Sequence, residues 1–149
     1  MRATIVVLLA TGISTATPLF AEEPVSLENG AYAVNVRLEL PHVEMSGVSS
    51  DHTICLPKER SSSDQGLVVL SENNPLAHCP ASNVHQDNDT LTFDIICPGH
   101  NAASAHAKYV LTHTTFDARI EMKMGGKNMT MTEIQLGHRV GACEAGPRA

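Results

Sequence analysis

The chain has 149 residues, a formal net charge of −6, only 3% aromatic residues and no tryptophan. That length suits one domain. Its acidic balance, with scattered Lys and Arg, argues against nucleic acid and anionic membrane surfaces as partners, because both need clustered cations.

Met1 and Arg2 open an uncharged apolar or small run from Ala3 to Ala16, and Thr17-Pro18-Leu19-Phe20-Ala21 ends it before Glu22-Glu23. This is the layout of a signal peptide cleaved after Ala21. The run is too short to span a bilayer, which needs about 20 apolar residues, so no membrane span is expected after cleavage. Residues 1–21 carry Arg2 as their only charge, so the mature chain is one unit more negative. Beyond residue 21 the aromatics are Tyr32, Phe93, Tyr109 and Phe116, and the core must rely on Val, Ile, Leu, Met and Ala. Four cysteines, Cys55, Cys79, Cys97 and Cys143, then read as two disulfides that offset a thin core in an exported domain.

After an acidic lead-in at 22–29, one β domain is expected over 30–143, followed by a short tail at 144–149. Tyr32, Val34, Val36, Leu38 and Leu40 alternate with polar or small residues, the period of a half-buried strand. Pro41 stops it. A second strand is expected at 52–56. Residues 57–66 read as a solvated loop or one helical turn, and 67–70 as a short strand or the end of that helix. Asn73-Asn74-Pro75 is a turn.

Two strands, 79–85 and 90–97, flank Gln86-Asp87-Asn88-Asp89 as a hairpin with a four-residue loop. That register sets Cys79 opposite Ile96, so a single bulge brings Cys79 to Cys97 and leaves Cys55 for Cys143. In 105–112 the apolar series is Ala105, Ala107, Tyr109 and Leu111, and in 115–124 it is Phe116, Ala118, Ile120, Met122 and Met124. A two-residue turn at His113-Thr114 pairs Leu111 with Phe116 and puts both series on one face. The turn at 125–128 sets Met124 against Met129 and Met122 against Met131. Parity then slips, because Ile120 would face Glu133 while Ile134, Leu136, His138 and Val140 carry the apolar pattern. A β-bulge near Thr132-Glu133 is therefore expected. The fold class is all-β: a single curved antiparallel sheet, meander, half-barrel or barrel-like, of about six to eight strands with two disulfides.

Gly30-Ala31-Tyr32 at a strand start, Thr53-Ile54-Cys55-Leu56, the lone Cys79 and Cys97, a Gly-rich turn before Met129, and Leu136-Gly137 through Gly141-Ala142-Cys143 stand together over about residues 29–143. In these residues the chain resembles the bacterial domain-of-unknown-function family numbered 3617. The resemblance implies an exported, single-domain protein of a Gram-negative periplasm and supplies no activity. Tyr32 stands where the family usually has tryptophan, and Gly141-Ala142-Cys143 where it usually has Gly-Asp-Cys.

Met122, Met124, Met129 and Met131 converge on one hairpin face, and thioethers suit Cu(I). Methionine more often fills gaps in an aromatic-poor core, so these four, with Tyr109 and Ile120, are candidates for a pocket lining first and a copper site second. The eight histidines show no zinc-ligand spacing, and His138, in register with Ile134 and Leu136, is expected to face inward as a core histidine. There is no Cys-x-x-Cys and no Gly-x-Ser-x-Gly; Ser61-Ser62-Ser63, Asp87 and Asp89 read as turn formers. Asn88-Asp89-Thr90 and Asn128-Met129-Thr130 match a glycosylation pattern that has no meaning in a bacterial periplasm.

These readings point to a non-catalytic binding module for a small apolar ligand or lipid, without a cofactor. An envelope interaction module completed at a sheet edge is the alternative. An enzyme ranks third.

Overall fold

The structure, a computed structural model, describes residues 23–41, 48–59, 65–99, 102–125 and 129–144. The expected signal peptide, Ser61 to Ser63, His42, His100 and the last five residues lie outside these. Seven strands form one sheet: β1 (Gly30–Glu39), β2 (Ser49–Leu56), β3 (Ala81–Asp87), β4 (Thr90–Ile96), β5 (Ser104–Leu111), β6 (Thr115–Met124) and β7 (Met129–Gly141). Their order is β2-β1-β7-β6-β5-β4-β3, and every pairing is antiparallel. The sheet is open, with β2 and β3 at its edges.

Both Met-rich and aromatic registers are as expected, although 126–128 of the turn expected at 125–128 lie outside the described residues. Leu111 pairs with Phe116 and Tyr109 with Ala118, while Met122 pairs with Met131 and Met124 with Met129. The β3–β4 hairpin differs from expectation. Asp87 pairs directly with Thr90, so the loop is the two residues Asn88 and Asp89. Asn88 adopts a positive φ of 51°, a conformation asparagine tolerates well and tight hairpins use. A register shift between Ser82 and His85 follows, with Asn83 also at positive φ. Continued along the strands, the shifted register brings Cys79 to Cys97. They form one disulfide with Cα atoms 5.0 Å apart, and Cys55 with Cys143 forms the other at 5.5 Å.

The bulge expected at Thr132-Glu133 is not formed. The β6–β7 register runs unbroken from Met124↔Met129 to Thr115↔His138, so Glu133, Gln135 and Gly137 face the core opposite Ile120, Ala118 and Phe116. Ile134, Leu136, His138 and Val140 stand on the other face; Leu136 is 51% and Val140 56% exposed, and His138 is exposed rather than a core residue. A register shift does occur in this strand, but near its end, where β7 meets β1 between Ala31 and Tyr32. Phe116 lies over Gly137 so closely that a Cβ there would run into its ring.

Topology explains the inverted pattern. β2 and β3 sit at opposite edges, so the chain between them, residues 57–80, must cross the sheet. Seven strands about 4.8 Å apart make a sheet about 29 Å wide. The described part of this crossing strap, residues 65–80, runs over the apolar face. It is irregular from 67 to 70, where a strand or helix end was expected, and contains one 3₁₀ turn, Pro75–His78, capped by the Asn74 side chain. Its own Leu67, Val69 and Leu76 are buried against the sheet, as is Leu27 of the lead-in. The core therefore has two layers, a sheet and a strap. Its aromatic centre is Phe93 stacked on Tyr109 at 5.6 Å, with Phe116 and Tyr32 beyond.

Backbone groups crossing an apolar surface need partners. β7 supplies them. The fully buried Glu133 carboxylate accepts from Leu70 N at 2.8 Å, Ser71 N at 3.1 Å and Gln135 Nε2 at 2.6 Å. Gln135 Nε2 also donates to Val68 O at 2.9 Å, and its Oε1 accepts from the Tyr109 hydroxyl at 3.4 Å. Polar residues on the inner face of β7 are thus what holds the strap.

Candidate functional site

The inner sheet face, where the sequence pointed, is occupied by the chain itself. Tyr109 and Ile120 are wholly buried there, and Met122 sits beside them with its sulfur accepting from Asn74 Nδ2 at 3.1 Å. Met124 and Met131 are half-buried at the margin of the core, while Met129 is exposed. The four methionines pair as expected across β6 and β7, but at graded depth and with one thioether already engaged.

The open space lies elsewhere. A trough of about 800 Å³ receives residues from β1, β7, β6, β5 and β4 at one end of the sheet, among them Glu39, Thr132, Glu121, His106 and Asp94. By strand alternation these five share the face opposite the core, and the pairings set them in a row: Asp94↔His106, His106↔Glu121, Glu121↔Thr132, Thr132↔Glu39. Twist and coiling make a wide sheet hollow toward part of each face, which lets five strands enclose one space. Apolar Leu40 and Ile96 stand at opposite ends of this trough; Met122 and Met131 also border it, although alternation puts their side chains on the core face.

Charge in the row is paired. Arg119 lies 3.2 Å from Glu121 and 3.7 Å from Glu39, and Arg37 lies 2.9 Å from Glu39. His106 Nδ1 is 2.8 Å from Asp94 Oδ1, and Asn83 Nδ2 donates to Asp94 Oδ2 at 2.9 Å. The hydrogen bond with His106, and after it the one from Asn83, hold the Asp94 carboxyl below its ordinary value. Exposed pairs of this kind contribute little to stability, so they act mainly to set side-chain positions.

The sign of a pH effect follows. A carboxylate whose folded pKa is depressed contributes stability that is present above its unfolded value and lost as pH falls through the folded one. Asp94→Asn is therefore expected to lower stability slightly at neutral pH. The difference from the unsubstituted protein should shrink once pH drops below the ordinary carboxylate range near 3.9. Urea titrations at pH 7 and pH 2.5 check this; an equal difference at both would show that the depressed carboxyl contributes nothing.

None of the histidines among the described residues is buried, and no group of three or more His, Cys, Asp or Glu there is arranged to hold a metal ion. Sequence reasoning missed Glu133 and Gln135, whose polar character pointed outward, and the Asp94, His106 and Glu121 row. That row becomes readable only with the β4–β5 register, Ile96↔Ser104, which the loop between the strands does not dictate.

Architecture and site together define a small, disulfide-stapled all-β domain, one open sheet under its own strap, of the sort that folds in an oxidising extracytoplasmic compartment. Within that class the chain belongs to the family described as "Protein of unknown function (DUF3617)", whose profile matches residues 27–143. No curated protein and no solved structure matches it. No helix among the described residues is long and apolar enough to cross a membrane.

Proposed function

We propose that this chain is a non-catalytic binding module of the periplasm, and that it holds a small amphiphilic ligand in the trough on the polar face of the sheet. The observation that supports this is that five strands line one space of about 800 Å³ with apolar residues at its ends and fixed charges between. Sites of a few hundred cubic ångströms with a few placed polar groups are the usual form of a small-molecule pocket. The carboxylates there, Glu39, Glu121 and Asp94, are paired with Arg119 and His106 rather than left poised for proton transfer, which favours binding over chemistry. A lipid-like molecule remains the ligand class, with its site on the outer rather than the strap-covered face.

Native mass spectrometry of the protein purified from an exporting host tests this. The expected spectrum shows residues 22–149 less the four hydrogens lost to two disulfides, plus an added mass removed by organic extraction. Thr132→Trp, which fills the trough floor, should abolish the added mass. Polypeptide mass alone, with no trough amide shifting on addition of single-tailed amphiphiles of any head charge, would overturn the reading. That outcome would favour a second one, strand addition by an envelope protein at β2. This edge keeps an unbroken register with β1 from Gly30↔Leu56 to Arg37↔Ser49, whereas edge strand β3 is interrupted at Asn83. An added mass lost to a chelator would instead point to copper on the methionines.

A further inference from the structure

Beside the acidic row of the trough runs a second row of different chemistry. Ile96 pairs with Ser104, Ser104 with Lys123 and Lys123 with Thr130, all on the face opposite the core. Directly paired residues have Cβ atoms about 5 Å apart. Two hydroxyl residues thus flank Lys123 on neighbouring strands, and all four residues line the trough. None of the three polar side chains has a hydrogen-bond or ionic partner among the described residues. Arg119, the other trough cation, is already shared between Glu39 and Glu121.

We propose that Ser104, Lys123 and Thr130 form an oxyanion site, taking a carboxylate or phosphate that is either free or the head group of an amphiphile whose apolar part lies on Ile96. This inference rests on the trough reading and gives its ligand a charge. Lys123 supplies the countercharge, and each hydroxyl can donate one hydrogen bond to an oxygen of the anion. The carboxylates nearby do not forbid it. Glu39 and Glu121 each lie beside an arginine and Asp94 beside His106. The excess negative charge of the whole chain is screened over about 8 Å at physiological salt. Ile96, 51% exposed at the end of the row, gives an alkyl chain an apolar surface next to the charge.

The test is a chemical-shift titration of the oxidised mature protein with inorganic phosphate and, separately, with hexyl phosphate. Both probes are expected to move the amides of 104, 123 and 130, with hexyl phosphate also moving Ile96. Lys123→Gln should weaken binding at least tenfold, and Ser104→Ala or Thr130→Val several-fold. Tighter binding of hexyl phosphate than of phosphate by tenfold or more identifies a head group as the source; equal binding identifies the free anion. If hexyl phosphate binds the trough of Lys123→Gln as well as it binds the unsubstituted protein, the oxyanion site is overturned while the trough reading stands. If neither probe moves these amides but an uncharged alkyl glucoside does, the site is likewise overturned. Lys123 is exposed, so the variant's own spectrum confirms that it folds.

Discussion

Replacing Cys55 and Cys143 by serine is expected to lower stability more than replacing Cys79 and Cys97. A disulfide removes conformational freedom from the unfolded chain, and the loss grows with the loop it closes. The separations are 88 residues for Cys55–Cys143 and 18 for Cys79–Cys97. On the chain-entropy relation these correspond to about 4.6 and about 3.2 kcal/mol. Against a total of about 5–15 kcal/mol for a domain, either loss is large and the first is close to unfolding. Cys55–Cys143 also ties the end of the chain, just past β7, to edge strand β2 on the far side of β1. Guanidinium unfolding of the two double-serine variants, each with the other bridge intact, measures the difference. A larger loss for Cys79 and Cys97 would show that local anchoring of the strap outweighs loop closure.

Glu133→Ala is the second substitution with a large expected effect. It would strand the strap amides Leu70 N and Ser71 N, cost Gln135 an acceptor, and leave a void in a wholly buried place. Each buried donor left without a partner costs about 1–3 kcal/mol, so a loss of about 3 kcal/mol is expected. For a domain of this size that lowers Tm by roughly 10 °C. Glu133→Gln keeps one acceptor oxygen and should lose less. Leu136→Thr, one turn of parity away on the exposed face, should be within about 0.5 kcal/mol of the unsubstituted protein. Thermal unfolding of the three variants ranks them. If Leu136→Thr proved the worst and Glu133→Ala harmless, β7 would have its apolar residues inward after all.

That contrast marks where reading the sequence stops. The period-two runs in β1, β5 and β6 name their inner residues because those strands bury an ordinary apolar face, and Tyr32, Tyr109, Phe116 and Ile120 are all buried. In β7 the same rule selects Ile134 and Leu136, which stand outside. The rule assumes that what covers the sheet is apolar, and over β7 the cover is a backbone segment whose N–H and C=O groups demand polar partners. A carboxylate and an amide are the correct inward residues there.

The site was less legible than the fold for a related reason. The methionine candidates lie on a single hairpin whose turn sets their register, so their pairing could be read, but their depth depends on the strap above them. Asp94, His106 and Glu121 come from three strands, and Ser104, Lys123 and Thr130 likewise. Each residue alone is an ordinary polar position on an exposed face, and only the alignment of rows across neighbouring strands makes them a surface.

What the sequence by itself determined, then, is mostly local: alternation within strands, the two-residue turn at His113-Thr114 and the pairing of Met122 with Met131, since turn length and side-chain period act over a few residues; of the disulfides, Cys55–Cys143, 88 residues apart, followed only by elimination. Only the tertiary structure decided that β1 pairs with β7, that β2 and β3 become opposite edges, and that the chain joining them must cross the apolar face. From that crossing follow the buried Glu133 and the filled inner face. The physical reason is that a backbone path across a sheet is set by which strands are neighbours, and neighbour choice is a property of the whole chain's packing.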